Sequence, residues 1–330
     1  MNKKMSMINI AELSGVSIAT VSRVLNKNGR YSPETEKKVI DIVKKYDYKV
    51  NPNAKGLRTN KTQSIGVIVP DITNEFFAKI IRSIENSIMP KGYTVFVCDS
   101  NENGEMEEHH ISSLVAKDVD GIIYISTKPD VKHIYDEYKI PVVYIDRRPQ
   151  NAGTLIISDN EMGGFIATEE LIKKGCQKIV MLRDKNRYST VVNRYEGFVN
   201  AHKKHNLLVN EKLVIDMEVS YKSSHDAVKE LINSGEKFDG IFCNNDIMAI
   251  GALHALRDAK IKVPSEVKII GFDGISLTEI CDPPMTTVMQ DTDMFGKKSV
   301  EALLRLIENK EPKKDEVYTI PVTLKKRSTT

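Results

Sequence analysis

From Ser64 onward the sequence alternates between short apolar segments and longer amphipathic ones, and this alternation restricts the possible folds more than any other feature. Apolar strands separated by helical segments are typical of parallel sheets with helices on both faces. The apolar segments number ten and fall into two runs of five, which predicts an α/β fold with two doubly wound parallel lobes. The predicted strands are Ile65–Val69, Thr94–Cys98, Gly121–Ile125, Val142–Ile145 and Leu155–Ile157, then Ile179–Leu182, Leu213–Val219, Ile241–Cys243, Val267–Ile270 and Thr287–Met289.

The amphipathic segments between these strands predict helices, because their apolar residues recur at helical spacing. One further strand is predicted near the end of the chain, from Tyr318 onward, and a short polar tail follows it. The predicted helices include Glu75–Met89, Glu161–Lys174, Val191–His205, Ser223–Ser234 and Asp246–Ala259.

The charge of the chain is divided unevenly between its beginning and the rest. Residues 1–61 hold 13 lysines and arginines against 5 aspartates and glutamates, a net charge of +8. Residues 62–330 hold 35 against 40, a net charge of −5, so the total of +3 conceals two opposite parts. A basic segment joined to an acidic body is typical of a polyanion-binding module attached to a domain with another task.

Three short helices are predicted in the basic segment. Ser6 can cap a helix over Met7–Ser14, and Ser17 can cap a second helix over Ile18–Leu25 after a short turn that contains glycine. A third helix begins at Ser32-Pro33-Glu34, which supplies a cap, a proline in the first turn and an acidic residue. Two helices joined by a short turn of this kind form the helix-turn-helix arrangement, so residues 1–50 are predicted to be an all-α DNA-binding domain.

The second helix is predicted to carry the DNA contacts. An α-helix fits the major groove of B-DNA, and arginine can donate two hydrogen bonds to guanine. Thr20, Ser22 and Asn26 are short polar side chains suited to phosphate oxygens. The alternative is a small solvated three-helix bundle, which the basic excess and the turn together disfavour. The outer face of this helix is predicted to present Ile18, Ala19, Ser22 and Arg23.

The segment Asn9–Asn26 (NIAELSGVSIATVSRVLN) resembles, in pattern and spacing, the DNA-binding signature of the lactose/galactose repressor family. The segment Asn51–Arg58 (NPNAKGLR) is similar to the family's hinge, which folds into a short helix on operator DNA. The resemblance implies that Leu57 wedges into the minor groove at the centre of a palindrome. Lys55 departs from the arginine that is usual there, so charge is kept but the planar fork is lost. The implied DNA contacts are Ser17, Ile18, Ala19, Thr20, Ser22, Arg23, Asn26, Asn53, Ala54, Lys55 and Leu57.

Polar residues follow almost every predicted strand of the body. Ligands of open α/β sheets bind beyond the carboxyl ends of the strands, so these residues are candidates for a binding site. Carboxylates and amides bind pairs of hydroxyls, guanidinium groups donate to two oxygens, and aromatic faces cover the C–H side of a sugar ring. Taken singly, such residues also cap helices or form surface ion pairs, and Phe76 and Phe77 also suit plain core packing.

The body further resembles the family's effector domain, which is itself similar to type I periplasmic sugar-binding proteins. That resemblance implies a pocket of the ribose-binding type, with ribose as the first candidate and fructose or a similar ring sugar as the second. It divides the chain into residues 1–50, a hinge or linker at 51–61 and an effector-binding and dimerisation domain at 62–330. The lobes would comprise about 62–160 with 291–320, and about 161–290 with 321–330. The implied sugar contacts are Asn74, Phe76, Phe77, Asp146, Arg147, Arg194, Asn245, Asp273 and Gln290.

Several other classes of function are disfavoured. The sequence has no P-loop, no GxGxxG after the first strand, no HExxH and no GxSxG, so we expect no enzyme. Four cysteines without CxxC spacing predict reduced thiols, and we expect neither a metal nor a cofactor. No apolar segment reaches the ~18 residues of a membrane span and no signal sequence is evident, so we expect a cytoplasmic protein.

The expected protein is therefore a homodimeric transcription regulator, in the first place a repressor of a carbohydrate-utilisation operon. A transporter-associated binding protein would share the fold of the body, but the basic segment disfavours it. The alternative that stays open is a carbon-catabolite regulator whose co-effector is a phosphocarrier protein, as in one branch of the family. No leucine heptads follow the last strand, so we expect a dimer without a tetramerising tail.

Overall fold

A computed structural model describes residues 5–25, 27–48, 61–127, 134–150, 152–309 and 316–330, apart from the side chains of residues 135, 136 and 309. The chain forms two compact units, Met1–Thr62 and Gln63–Thr330. Among the described helices, none is long and apolar enough to cross a membrane by itself. Only Met7–Ser14 and Ile18–Leu25 taken together reach that length and composition, and the pair is bent by 103°.

The first unit is a three-helix bundle with α1 at Met7–Ser14, α2 at Ile18–Leu25 and α3 at Pro33–Lys45. Ser6 and Asn9 form a reciprocal capping box at the start of α1, which confirms the predicted cap. The Oγ atom of Ser17 accepts a hydrogen bond of 3.1 Å from the backbone N–H of Thr20, so Ser17 caps α2 as predicted. The small core consists of Ile10, Ala11, Val21, Val24 and Val39.

The second unit contains two six-stranded sheets, each of which defines one lobe. The first lobe has strand order β11-β5-β4-β3-β1-β2, and every pair in it is parallel. The buried strands β1, β3 and β4 are apolar on both faces because helices cover both sides of the sheet. Its strands are β1 Ser64–Val69, β2 Thr94–Asp99, β3 Gly121–Tyr124, β4 Val142–Ile145, β5 Thr154–Ser158 and β11 Glu316–Ile320.

The second lobe has strand order β12-β10-β9-β8-β6-β7. All its pairs are parallel except β10 with β12, which is antiparallel. The ten strands predicted in two runs of five are therefore confirmed, and the one strand expected near the end of the chain is in fact two, one in each sheet. The strands of the second lobe are β6 Ile179–Asp184, β7 Val214–Met217, β8 Gly240–Cys243, β9 Lys268–Asp273, β10 Thr286–Met289 and β12 Thr323–Lys325.

Helices cover both faces of both sheets, and four apolar clusters fill the space between them. Short 3-10 turns at Met89–Lys91 and Glu211–Leu213 connect some of these elements. The helices of the second unit are α4 Glu75–Ile88, α5 Gly104–Val115, α6 Ile134–Tyr138, α7 Asn160–Lys173, α8 Ser189–Lys204, α9 Tyr221–Asn233, α10 Asp246–Asp258, α11 Leu277–Ile280 and α12 Thr292–Asn309.

Helices α7 and α8 approach each other unusually closely, because glycine occupies the contact on each side. A Cβ atom on Gly164 would lie 2.1 Å from the carbonyl oxygen of Arg194, and one on Gly197 would lie 2.0 Å from that of Glu161. The missing side chains let the two backbones touch. On the side of Gly164 the contact is with the backbone of Arg194, so this part of α8 lies directly against α7.

Candidate ligand cleft and nucleic-acid interface

A cavity of about 360 Å³ lies between the two lobes of the second unit. Its walls are loops that follow the carboxyl ends of strands in both sheets, together with the first turns of the helices after them, which is where open α/β sheets bind ligands. Eight of the nine predicted sugar contacts line it, and Gln290 does not. The lining residues are Asp71, Asn74, Phe76, Phe77, Glu102, Asp146, Arg147, Asp184, Lys185, Asn186, Tyr188, Thr190, Val191, Arg194, Glu218, Val219, Asn244, Asn245 and Asp273.

Asp146 follows β4 directly and presents an unpaired acceptor. The residue is 5% exposed, and its Oδ1 atom has no hydrogen-bond partner. Burial raises the pKa of this carboxyl, while the nearby guanidinium groups of Arg194 and Arg147 act in the opposite direction. A buried acceptor without a partner costs free energy. Because this acceptor belongs to a residue on the cavity wall, a ligand that donates a hydrogen bond to it would remove that cost.

Arg194 is fixed on every side by the second lobe. Its Nε atom donates to Oδ1 of Asn160 at 2.8 Å, and its Nη1 atom donates to the backbone carbonyl of Asn244. The guanidinium carbon lies 3.6 Å from the ring centre of Phe272, which covers one face of the group. Burial lowers the pKa of Arg194, and the carboxylates of Asp273, Asp146 and Asp246 counteract this effect. The result is a pre-oriented fork of donors.

Asp273 ends β9 with φ of 114°, a left-handed value that turns the chain sharply into the next loop. Its Oδ1 atom lies 3.9 Å from Nη1 of Arg194 and accepts a 2.8 Å hydrogen bond from Nε2 of Gln290. Burial raises the pKa of Asp273 well above its ordinary value, against the opposing charge of Arg194. Gln290, the ninth predicted sugar contact, does not line the cavity but donates its amide N–H to Asp273, and its Oε1 atom is buried without a partner.

The loop after Asp273 is held by a fully buried carboxylate. Oδ2 of Asp246 accepts hydrogen bonds from the backbone N–H groups of Gly274 and Ile275 at 2.7 and 2.9 Å. Its Oδ1 atom accepts a 2.6 Å bond from the hydroxyl of Thr287. Burial is the main reason that the pKa of Asp246 rises to about 7. Asp246 was not predicted as a functional residue, and it contributes by shaping the wall rather than by lining it.

Two asparagines follow β8, and they differ in their roles. Asn245, the predicted contact, accepts a 2.8 Å hydrogen bond from the backbone N–H of Met248 and so caps α10. Asn244, which was not singled out, has both polar side-chain atoms buried without a partner while lining the cavity. An amide with two unpaired atoms facing a cavity can bind a hydroxyl as both donor and acceptor.

The aromatic pair predicted to cover a sugar ring lies at the start of α4. The rings of Phe76 and Phe77 are 5.3 Å apart, and Phe76 meets Phe295 edge to face at 6.0 Å. Both phenylalanines belong to the core of the first lobe and also line the cavity, so core packing holds the apolar surface that a ligand would meet. Asn74 caps the same helix by accepting a 3.0 Å bond from the backbone N–H of Phe76.

Arg147 pairs with a residue that the strand-end pattern did not predict. Its Nη1 and Nη2 atoms donate to the two carboxylate oxygens of Glu102 at 2.9 and 2.7 Å. The ring of Tyr188, from the other lobe, covers the guanidinium with its centre 3.8 Å from the guanidinium carbon. Glu102 and Tyr188 both line the cavity. Glu102 stands three residues beyond β2, among several other acidic residues, so sequence offered no signal for it.

The predicted DNA contacts lie in the first unit. Ser17, Ala19 and Arg23 are exposed, Ile18 is 47% exposed and Thr20 is half-buried. Ser22 differs from the prediction of an outer-face residue, since it is only 6% exposed. It lies one turn after Ile18 at the edge of the buried face, where its small side chain is covered. The predicted contacts at Asn26, Asn53, Ala54, Lys55 and Leu57 fall outside the described residues.

Metal binding has no support within the ranges that the structure describes, since no group of three or more histidine, cysteine, aspartate or glutamate side chains there could hold an ion. The four cysteines are free thiols. Burial raises the pKa of Cys176 to about 11, which keeps this thiol protonated and unreactive.

Two family models match the chain. Residues 6–51 match the model for bacterial regulatory proteins of the lacI family, and residues 62–328 match the model for periplasmic binding proteins and the sugar binding domain of the LacI family. Among curated relatives, the ribose operon repressor of Halalkalibacterium halodurans is 34% identical over 322 residues, which cover 98% of this chain and 96% of that one. The transcriptional repressor PurR of Histophilus somni is 32% identical over 306 residues, covering 92% of each chain.

Solved structures agree with these relatives. The Lac repressor dimer bound to operator and the anti-inducer ONPF aligns with a TM-score of 0.89 at 25% identity, over 99% of both chains. A LacI family regulator from Enterococcus faecium with bound ribose aligns with a TM-score of 0.73 at 27% identity, over 81% of this chain and 98% of that one. The predicted fold and the predicted family are thereby confirmed.

Proposed function

The chain belongs to the LacI family of bacterial DNA-binding regulatory proteins, and from this premise we propose that it represses a carbohydrate-utilisation operon under the control of a free monosaccharide. We propose ribose as the first effector and fructose or a similar ring sugar as the second. The cleft between the two lobes is the proposed binding site, with Asn74, Phe76, Phe77, Asp146, Arg147, Arg194, Asn245 and Asp273 as its contacts.

The observation that carries this proposal is the set of polar groups that the cleft leaves incomplete. The carboxyl of Asp146 and the amide of Asn244 both line the cavity and hold buried atoms without hydrogen-bond partners. The pre-oriented guanidinium of Arg194 and the apolar faces of Phe76 and Phe77 lie on the same walls. A ring sugar offers adjacent hydroxyls to the polar side chains and C–H surface to the two phenylalanines, so one small polyol satisfies both the polar and the apolar parts of the wall.

The charges on the walls favour an uncharged sugar over a phosphorylated one. Six carboxylate residues and three basic residues line the cavity. Two of the basic groups already face carboxylates, because Arg147 is bound by Glu102 and Arg194 lies beside Asp273. A dianionic phosphate entering this cleft would meet carboxylates with few free cations, and like charges in a site of low dielectric repel strongly.

Three observations support ribose as the first candidate. The sugar-contact pattern resembles the ribose-binding type, one relative carries the name ribose operon repressor, and one similar structure was solved with bound ribose. Relatives of nearly equal identity carry other names, PurR among them, so the sugar is part of the proposal and not of the family assignment.

For DNA, we propose that a homodimer binds a palindromic operator through two copies of α2 and two hinge segments. Arg23 on the exposed face of α2 would read base edges, and Leu57 would enter the minor groove. Sugar binding would change operator affinity by favouring one relative arrangement of the lobes. Because such coupling is reciprocal, operator DNA must change sugar affinity by the same factor. We propose release of DNA by sugar, as suits a catabolic operon.

Calorimetric titration of the full chain tests the effector. Ribose, fructose and xylose are titrated in turn, and ribose 5-phosphate serves as the charged counterpart. We expect heat with ribose, weaker heat with fructose and none with the phosphate. An absence of heat with every free sugar would contradict the proposal and favour the alternative, a regulator whose co-effector is a phosphocarrier protein, which the same instrument can measure with that protein as titrant.

A further inference from the structure

The carboxylate of Glu102 joins the two lobes at the mouth of the cleft. It accepts two hydrogen bonds from Arg147 of its own lobe, at 2.9 and 2.7 Å, and a third of 3.0 Å from the hydroxyl of Tyr188 in the second lobe. One side chain therefore uses both of its oxygens to hold a predicted sugar contact and to bridge to the opposite wall.

The second lobe rests directly on this segment of the first. The ring of Tyr188 lies over the guanidinium of Arg147, which is only 9% exposed. The next residue, Arg148, donates its backbone N–H to the hydroxyl of Ser189 at 2.8 Å. The orientation of Arg147 thus depends on an acid from its own lobe and on an aromatic lid from the other.

Glu102 also decides which partner Arg147 has. Asp146 is adjacent in sequence, is buried and has an unpaired Oδ1 atom. Without Glu102, we expect the guanidinium to turn toward that carboxyl, since a buried unpaired charge is costly. Glu102 engages two of the five N–H groups of Arg147, while the adjacent Asp146 keeps an unpaired acceptor, and Arg147 and Asp146 both line the cavity.

Resting on the proposed sugar site, we propose that Glu102 is a positioning residue that orients Arg147 toward the sugar, and that Tyr188 couples this orientation to closure of the lobes. The Arg147 fork is held in its binding position when Tyr188 has closed over it. Loss of the Tyr188 hydroxyl weakens the closed arrangement, so it accelerates sugar departure and leaves sugar arrival almost unchanged.

The test is a double-mutant cycle on the full chain. Ribose is titrated calorimetrically into the unmodified protein, Glu102→Gln, Arg147→Ala and the double variant. Glu105→Gln is the matched control, because Glu105 is exposed in the first turn of the following helix and lies outside the cavity. We expect Glu102→Gln to weaken ribose binding about tenfold or more in the unmodified protein. In a protein that already carries Arg147→Ala, the same change should weaken ribose binding less than about twofold. Stopped-flow measurement of Tyr188→Phe should show dissociation roughly tenfold faster.

Two results would overturn the inference while leaving the sugar site intact: unchanged ribose affinity in Glu102→Gln, or an equal loss with and without Arg147. If the unmodified protein binds no sugar, the proposed function fails instead, and thermal unfolding of the unliganded chain then decides the inference. Glu102→Gln and Tyr188→Phe should each lower the midpoint temperature of unfolding. A variant that carries both of these changes should unfold at a midpoint no lower than that of the less stable single variant. Fully additive midpoint shifts would show that the two side chains do not act together.

Discussion

Replacing Arg194 with alanine should remove the sugar response and leave operator binding intact. The side chain donates to Asn160 and to the carbonyl of Asn244, covers Phe272 and lies 3.9 Å from the carboxylate of Asp273. All of these groups belong to the second lobe, so the variant loses the centre of the proposed site. Helix α2, which is proposed to read DNA, belongs to the other compact unit and keeps its own core.

The expected magnitude follows from the bonds and charges that are lost. Hydrogen bonds from a charged group contribute about 1.5–3 kcal/mol each, so two bonds from the Arg194 fork to a sugar correspond to about 3–6 kcal/mol. That range weakens the sugar complex by roughly a hundredfold to ten-thousandfold. The variant also leaves the carboxyl of Asp273 buried without its cation. The pKa of Asp273 then rises further, so the loss of stability that accompanies a rise in pH extends to higher pH and is larger in total.

Calorimetry with ribose measures the affinity, fluorescence anisotropy with operator DNA measures the retained function, and thermal unfolding at several pH values measures the linkage. Arg187→Ala is the control, because this arginine is exposed and forms only a surface ion pair with Asp216 at 2.8 Å. Such pairs contribute about 0–1 kcal/mol, so sugar affinity should stay within a few fold of the unmodified protein. Sugar affinity in Arg194→Ala within about threefold of the unmodified chain would refute the assignment of Arg194 to the site.

Four further results are expected. Gly164→Ala should push α7 away from α8, because the added Cβ atom would lie 2.1 Å from a backbone oxygen that cannot simply move aside. Sugar binding measured by calorimetry should weaken at least tenfold, and a normal affinity would show that the close packing of α7 on α8 is not needed. Burial raises the pKa of Asp246 to about 7, so the free energy of unfolding should fall as the pH rises from about 4 to about 7, and Asp246→Asn should make this fall smaller. An unchanged pH profile of chemical unfolding would show that Asp246 does not cause the pH dependence. Glu75→Gln should weaken sugar binding roughly three- to tenfold in calorimetry without touching the sugar, because its carboxylate accepts bonds of 2.9 and 2.7 Å from the backbone and hydroxyl of Ser276 in the opposite lobe; no change would show that closure does not depend on it. Arg23→Ala should cost about 1–3 kcal/mol of operator affinity in anisotropy titrations and relax base preference, and an unchanged ratio of specific to random duplex would remove Arg23 from base readout.

The fold could be predicted from the sequence because its parallel strands are buried on both faces and so stand out as apolar segments. Eight of the nine residues predicted to contact a sugar line one cavity for a related reason. Residues such as Asp146 and Asp273 directly follow those strands, and parallel topology brings the strand ends to one edge. The direction in which each side chain points could not be predicted in the same way, since it depends on contacts with residues from other strands.

Four residues illustrate that limit. Gln290 follows a strand like the true lining residues, yet its amide turns to Asp273 on the adjacent strand. Asn244 and Asn245 are consecutive amides that both line the cavity, but the oxygen of Asn245 caps α10 whereas both polar side-chain atoms of Asn244 are buried without a partner. Glu102 is one acid among several in its segment, and its role arises from contact with a residue 86 positions later, Tyr188.

The helix-turn-helix unit shows the same division. The caps at Ser6 and Ser17 follow from local sequence, because each satisfies backbone N–H groups within its own turn. The exposure of Ser22 does not follow, because its position lies at the margin of the buried face and small side chains there are covered by their neighbours. Helical spacing therefore identifies the exposed face of α2 but not the accessibility of each residue at the edge of that face.

The central claim is that a sugar in the cleft controls operator binding, and one measurement tests it most directly. A palindromic duplex is selected from a random library with the full chain, and its affinity is measured by fluorescence anisotropy with and without saturating ribose. We predict that ribose weakens operator binding by roughly five- to 150-fold, the usual range of allosteric coupling, and that operator weakens ribose binding by the same factor. Operator affinity that is identical with and without a sugar shown by calorimetry to be bound would contradict the account.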